Sequence, residues 1–142
     1  MPQGSCLCGI VRYEIRGALR QAGHCHCSMC RRWSGSAFMS YAGVRLGDFT
    51  WLTGEDCVAH YRSSPGFDRL FCRLCGASLA AWPTDPNAEL TWIMMGTLQG
   101  NPGLAPDKHI FVGSKADWFD ITDRLQQHHG LPSQSAPATR KG

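Results

Sequence analysis

Seven of the chain's eight cysteines fall into three tight clusters: Cys6 and Cys8 in CLC, Cys25, Cys27 and Cys30 in CHCSMC, and Cys72 and Cys75 in CRLC. Seven ligands do not divide into one metal site. Two pairs make a closed four-thiolate set, and three thiolates remain. Zinc held by four protein ligands is usually structural, whereas zinc held by three keeps a position open for chemistry. The clustering therefore suggests one site of each kind.

A disulfide framework is the competing reading, and three observations weigh against it. The N-terminal MPQGSCLCGIVRYEIRG has no apolar stretch of the secretory type. Eight cysteines in 142 residues is sparse for a disulfide scaffold, and the length suffices to bury a core without staples. Bridges two or three residues apart would also constrain little of the unfolded chain. A reducing, cytoplasmic setting is expected, where such spacings more often bind metal. In a strand, residues two apart share a face, so Cys6 with Cys8, and Cys25 with Cys27, can share an ion. Cys72 and Cys75 are brought together by a tight turn, and Gly9 and Gly76 stand where a chain turning around a metal needs positive φ. Thiolate softness selects zinc or iron–sulfur over hard cations, and the absence of a ferredoxin spacing favours zinc.

The length fits one domain, expected over residues 1–125, with a small, polar, proline-containing tail over 126–142 expected to be disordered. The formal charge of +3 counts thiols as neutral. Seven thiolates on two Zn²⁺ ions would add 4 − 7 = −3 and bring the protein near zero, so no basic surface for nucleic acid is expected. The most apolar run, Leu90 to Gly96, is strand-sized, so no membrane span is expected.

Alternation of Val11, Tyr13 and Ile15 with Arg12, Glu14 and Arg16 predicts a strand over Ile10 to Arg16. Further strands are expected at Ala37–Val44, Cys57–Ser63, Phe67–Phe71, Glu89–Met95 and His109–Gly113, separated by Pro/Gly/Asn/Asp turns. The only helical segment is Ser28 to Gly35, with Ser28 as its N-cap. The fold class is mainly β.

At GSCLCGIVRYE, HCHCSMCRRWSGSAF, SSPGFDRLFCRLCGASL and HIFVGSKADWFDI the chain resembles the glutathione-dependent formaldehyde-activating enzyme family, which includes centromere protein V. The resemblance implies a β-tent-like fold of antiparallel sheets stapled by a four-cysteine zinc. It implies two zinc ions: a structural one on Cys6, Cys8, Cys72 and Cys75, and a catalytic one on Cys25, Cys27 and Cys30. The associated activity is that of a carbon–sulfur lyase, joining glutathione and formaldehyde as S-hydroxymethylglutathione.

Arg31 and Arg32 follow Cys30 directly and are candidates to attract an anionic thiol such as glutathione, and Trp33 to line its pocket; an ordinary solvated helix turn is the plainer reading of the pair. Cys57 stands apart and reads as a small buried hydrophobe. His24 and His26 would face away from the cysteines, as packing residues or bases behind the ligands, and His60 and His109 are isolated in sequence. Two other functions fit the same cysteines. One is a non-catalytic, zinc-stabilised binding module. The other is a thiol redox enzyme resembling methionine sulfoxide reductase B, for which Cys57 would be the nucleophile.

Overall fold

Val11, Tyr13 and Ile15 are almost wholly buried, as their alternation predicts, and they lie in and beside strand β2 (Arg12–Ile15). The computed structural model describes residues 1–132, which fall into two compact units, Met1–Arg20 with Ala42–Leu104 and Gln21–Tyr41 with Ala105 onward.

In the first unit, β2 lies between β1 (Gln3–Ser5) and β5 (Phe49–Thr53) in an antiparallel sheet. Gly4 sits opposite Tyr13. A Cβ on Gly4 would fall 2.2 Å from the Tyr13 ring, so the absence of a side chain lets that ring pack across the sheet. Tyr13 stacks on Phe49 at 5.1 Å, and Phe49 and Trp51 both meet the Trp82 ring. Trp82 belongs to β8 (Ser78–Pro83), part of a second antiparallel set with β6 (Val58–Ser64), β7 (Phe67–Cys72) and β9 (Leu90–Met94). The Pro65-Gly66 signal marks the β6–β7 turn. Residues 42–45 of β4 (Met39–Arg45) continue this set beside β9.

The second unit pairs β3 (Arg20–Cys25) with the start of β4 on one side and with β10 (Lys108–Ile110) on the other. The β3–β10 and β10–β11 (Gln126–Gln127) ladders are parallel, within a fold whose other registered pairs are antiparallel. The register sets His109 against His24 and Ile110 against Cys25. Helix α1 (Ser28–Ser34) follows β3 and stops at Gly35, whose φ of 65° forms a left-handed cap.

Three expectations need correction. The cap of α1 is Cys27 rather than Ser28, because the Cys27 sulfur accepts the Cys30 amide. Residues 126–130 do not begin a disordered tail: Gln127 is buried and pairs with His109, and His128 and Gly130 accept the amides of Val112 and Phe111. The expected tail beyond residue 132 lies outside the described residues. The run expected as strand to Gly113 ends at Ile110, because Phe111 adopts left-handed φ, 56°, and a 3-10 turn follows over Val112–Ser114.

Candidate metal centres and a buried histidine chain

Cys6, Cys8, Cys72 and Cys75 converge in the first unit, with all four sulfurs within 4.8 Å of one another. The two halves are built alike. In each, a cysteine at the edge of a strand accepts the amide of the glycine just past the second cysteine, Gly9 N to Cys6 O at 3.2 Å and Gly76 N to Cys72 O at 2.8 Å. Both glycines have the positive φ that the spacing predicted, 83° and 78°. Cys6 and Cys8 therefore meet through a turn rather than by sharing a strand face.

The distances suit a tetrahedral ion. Zinc–sulfur bonds of ~2.3 Å give tetrahedron edges of about 3.8 Å, and Cys6 to Cys8 and Cys8 to Cys72 measure 3.5 and 4.0 Å. The surroundings treat the four thiols unevenly. The Ile10 amide lowers Cys8, but burial and the crowding of Cys6, Cys75 and Cys72 outweigh it and push that thiol up to about 11. Amides favour the thiolate at two of the others. The Val11 amide donates to the Cys6 sulfur at 3.3 Å, and the amides of Ala77 and Cys8 pull the Cys75 thiol down to about 6. Cys6 and Cys72 themselves belong to a buried apolar cluster with Val11, Cys57 and Leu79, against which Cys75 also packs. Cys57 is thus a buried packing residue, as its sequence context suggested, and not an exposed nucleophile.

Cys25, Cys27 and Cys30 converge in the second unit, with their sulfurs likewise within 4.8 Å. No fourth Cys, His, Asp or Glu joins this group among the described residues. The three arrive by different routes: Cys25 ends β3, Cys27 caps α1, and Cys30 lies on its first turn. Strand alternation does not bring Cys25 to Cys27, since the strand has already ended. The crowding of Cys27 and Cys30, and then burial, push the Cys25 thiol up strongly. Three thiols so close cannot ionise together without a counter-charge, which a divalent cation supplies.

The sequence reading missed a buried polar chain in this second unit. His26 Nε2 and His109 Nδ1 are hydrogen-bonded at 2.7 Å, and His109 Nε2 donates to Asp123 Oδ2 at 2.9 Å. His24 Nδ1 and the Ser40 hydroxyl are 2.8 Å apart. Phe38 and Phe119 pack against the His26 ring at 5.1 and 6.2 Å. His26 and His109 are almost fully buried. Burial, and then the neighbouring His109, hold His24 and His26 down at about 4, so both are neutral at ordinary pH. Burial raises the Asp123 carboxyl, but the hydrogen bonds from His109 and the Leu125 amide outweigh it and leave a net lowering. His109 is isolated in sequence, 83 residues from His26, and only the parallel β3–β10 register reveals the partnership.

Arg31 and Trp33 are half-buried on α1, and Arg32 is exposed. Among the described residues, no helix is long and apolar enough to cross a membrane.

The sequence profile of the glutathione-dependent formaldehyde-activating enzyme family matches residues 1–114. A Halomonas elongata protein that carries the provisional name of a glutathione-dependent formaldehyde-activating enzyme is 30% identical over 94% of this chain and 90% of its own length. An uncharacterized lyase of Schizosaccharomyces pombe is 25% identical over 86% of each chain. Among solved structures, the crystal structure of a Rhodobacter sphaeroides protein superposes with a TM-score of 0.60 at 29% identity, covering 73% of this chain and 97% of that one.

Proposed function

Because the chain belongs to the glutathione-dependent formaldehyde-activating enzyme family, we propose that it is a zinc-dependent enzyme of carbon–sulfur lyase type that interconverts glutathione plus formaldehyde with S-hydroxymethylglutathione. In the forward direction the thiol sulfur forms a bond to the carbonyl carbon. The carbonyl π bond breaks, and the thiol proton ends on the oxygen as a hydroxyl. No oxidant or reductant is needed.

The observation that carries this reading is the three-sulfur group of Cys25, Cys27 and Cys30 without a fourth protein ligand in its group among the described residues. Zinc held there would take the sulfur of the incoming thiol as its fourth donor and favour the thiolate at neutral pH. Cys6, Cys8, Cys72 and Cys75 would hold the second, structural ion. Cys27 fixes the start of α1 while presenting its sulfur. That placement sets Arg31 and Arg32 directly after the ligands, where their charge favours a thiol bearing carboxylates.

The test is spectroscopic. With cobalt in place of zinc, glutathione should perturb the thiolate charge-transfer bands of wild-type protein, and a neutral thiol of similar size should need a higher concentration. Bands unmoved by any thiol would mean a closed site and the non-catalytic binding module instead.

A further inference from the structure

Leu7, Ile10 and Leu74 are large apolar side chains left in solvent, at 85%, 46% and 52% exposure. All three stand on the two turns that bring Cys6, Cys8, Cys72 and Cys75 together. Leu7 lies between Cys6 and Cys8, Ile10 follows Gly9, and Leu74 directly precedes Cys75. Cys8 is itself exposed. An open cleft of about 430 Å³ adjoins Leu7, with Ala77, Thr97 and Leu98 in its walls. Apolar residues scattered singly over a surface are ordinary, but three around one set of sulfurs, beside a cleft, mark an interaction site.

The rim of this surface carries both signs of charge. Glu55 and Asp56 are exposed and lie between Gly54 and Cys57. Gly54 backs onto the Ile10 carbonyl, and the Cys57 carbonyl accepts the Arg73 amide at 2.9 Å. The acidic pair therefore borders both the apolar Ile10 and the exposed Arg73. Among the described residues, Arg73, Glu55 and Asp56 make no ion pair. A nucleic acid or an anionic membrane selects basic residues alone, and Glu55 and Asp56 would oppose either. Opposite charges, unpaired and side by side around an apolar centre, instead suit a partner with the same arrangement.

We propose that the surface of the two cysteine turns, centred on Leu7, Ile10 and Leu74, is where two copies of this chain associate. A two-fold axis through it sets the Leu7 side chain of each copy at the cleft of the other. The same axis places Arg73 of each copy opposite Glu55 and Asp56 of the other, so every contact is made twice. The apolar centre supplies the affinity, and the charges at the rim fix the register. A copy seated there also covers Cys8, the member of the four-sulfur group most open to solvent.

Sedimentation equilibrium of the zinc-loaded full chain tests the association. Wild type should pass from the 15.6 kDa monomer to twice that mass as concentration rises, and added salt should weaken the dimer. Leu7→Ser combined with Leu74→Ser should weaken it at least about thirtyfold. Arg73→Glu, and in a separate chain Glu55→Lys with Asp56→Lys, set like charges opposite each other. Each should weaken self-association at least about tenfold. Mixed in equal amounts, these two charge variants carry opposite charges at both contacts and should recover a dimer close to wild type. Loss of folding cannot imitate that recovery, so the mixture decides even if the leucine variant is unstable. Wild type that stays monomeric to millimolar concentration overturns the proposal. So does a folded leucine variant that dimerises like wild type, or a mixture that associates no more tightly than its components.

Discussion

The Cys30 amide donates to the Cys27 sulfur across 3.3 Å, so one side chain both starts the helix and joins the three-sulfur group. These duties can be separated. Serine is among the good N-cap residues and alanine is not. Cys27→Ser should keep the helix start and lose the ligand, while Cys27→Ala loses both. Chemical denaturation should place the alanine variant about 1 kcal/mol below the serine variant, with the same metal content in the two by elemental analysis.

Tyr13 is buried, and its hydroxyl lies 2.6 Å from Thr97 Oγ1. Thr97 donates its own hydrogen to the Met94 carbonyl, so Tyr13 is the donor in the pair. Burial pushes the Tyr13 phenol up to about 12. Tyr13→Phe removes the donor, and Thr97 keeps its bond to Met94. The expected loss is about 1 kcal/mol, read as a lower urea midpoint with an unchanged slope.

Gly54 holds φ at 73°, and a Cβ there would lie 2.4 Å from the Ile10 carbonyl oxygen. That oxygen already accepts the Thr53 hydroxyl and cannot move freely. Gly54→Ala combines a backbone clash with left-handed strain and should cost at least about 1–3 kcal/mol. Gly66 at the β6–β7 turn has open space and no positive φ. Gly66→Ala should be neutral or stabilising by up to about 1 kcal/mol, so a thermal melt of the pair separates geometry from a general intolerance of alanine.

Glu14 is held below its ordinary 4.5, first by the Gln3 amide and then by Arg16. A carboxylate whose folded value is depressed contributes stability that is fully present above its unfolded value and disappears as pH falls through the folded one. Glu14→Gln should therefore lower stability at neutral pH, and the gap to wild type should close as pH falls below the ordinary carboxylate range and through the depressed folded value. Urea midpoints measured across that range check the sign; a gap that widens on acidification would contradict it.

The strands that alternate cleanly were legible because period-two burial is local: Tyr13 and Ile15 point inward and Arg12 points out. Glu14 breaks the pattern, buried through its bonds to Gln3 and Arg16. The cysteine groups were legible because ligand chemistry restricts residue type and spacing. The route to them was not. Cys25 and Cys27 meet by a strand end and a helix cap, which alternation cannot distinguish from a shared strand face. The parallel pairings of β10 with β3 and with β11 were equally hidden, since each joins strands that are not neighbours in sequence, His109 lying opposite His24 on one side and Gln127 on the other. Phe111 at positive φ, which ends β10, carries no sequence mark, because left-handed backbone ordinarily selects glycine or asparagine.

The two cysteine groups should differ in what their loss does. Cys6 and Cys8 lie in the turn after β1, Cys72 ends β7 and Cys75 lies in the turn after it, so an ion there ties together segments far apart in the chain. Such a site contributes on the order of 10 kcal/mol, comparable to the whole stability of a small domain. Cys25, Cys27 and Cys30 span only six residues, and an ion there closes little chain entropy. Cys72 is also wholly buried in the apolar cluster with Val11 and Leu79, where serine would add an unpaired hydroxyl. Cys72→Ser should therefore yield insoluble or zinc-poor, unfolded protein. Cys27→Ser should stay folded and retain about one zinc per chain. Circular dichroism with elemental analysis decides it, and equal loss of structure in the two variants would refute the division between a folding site and an open one.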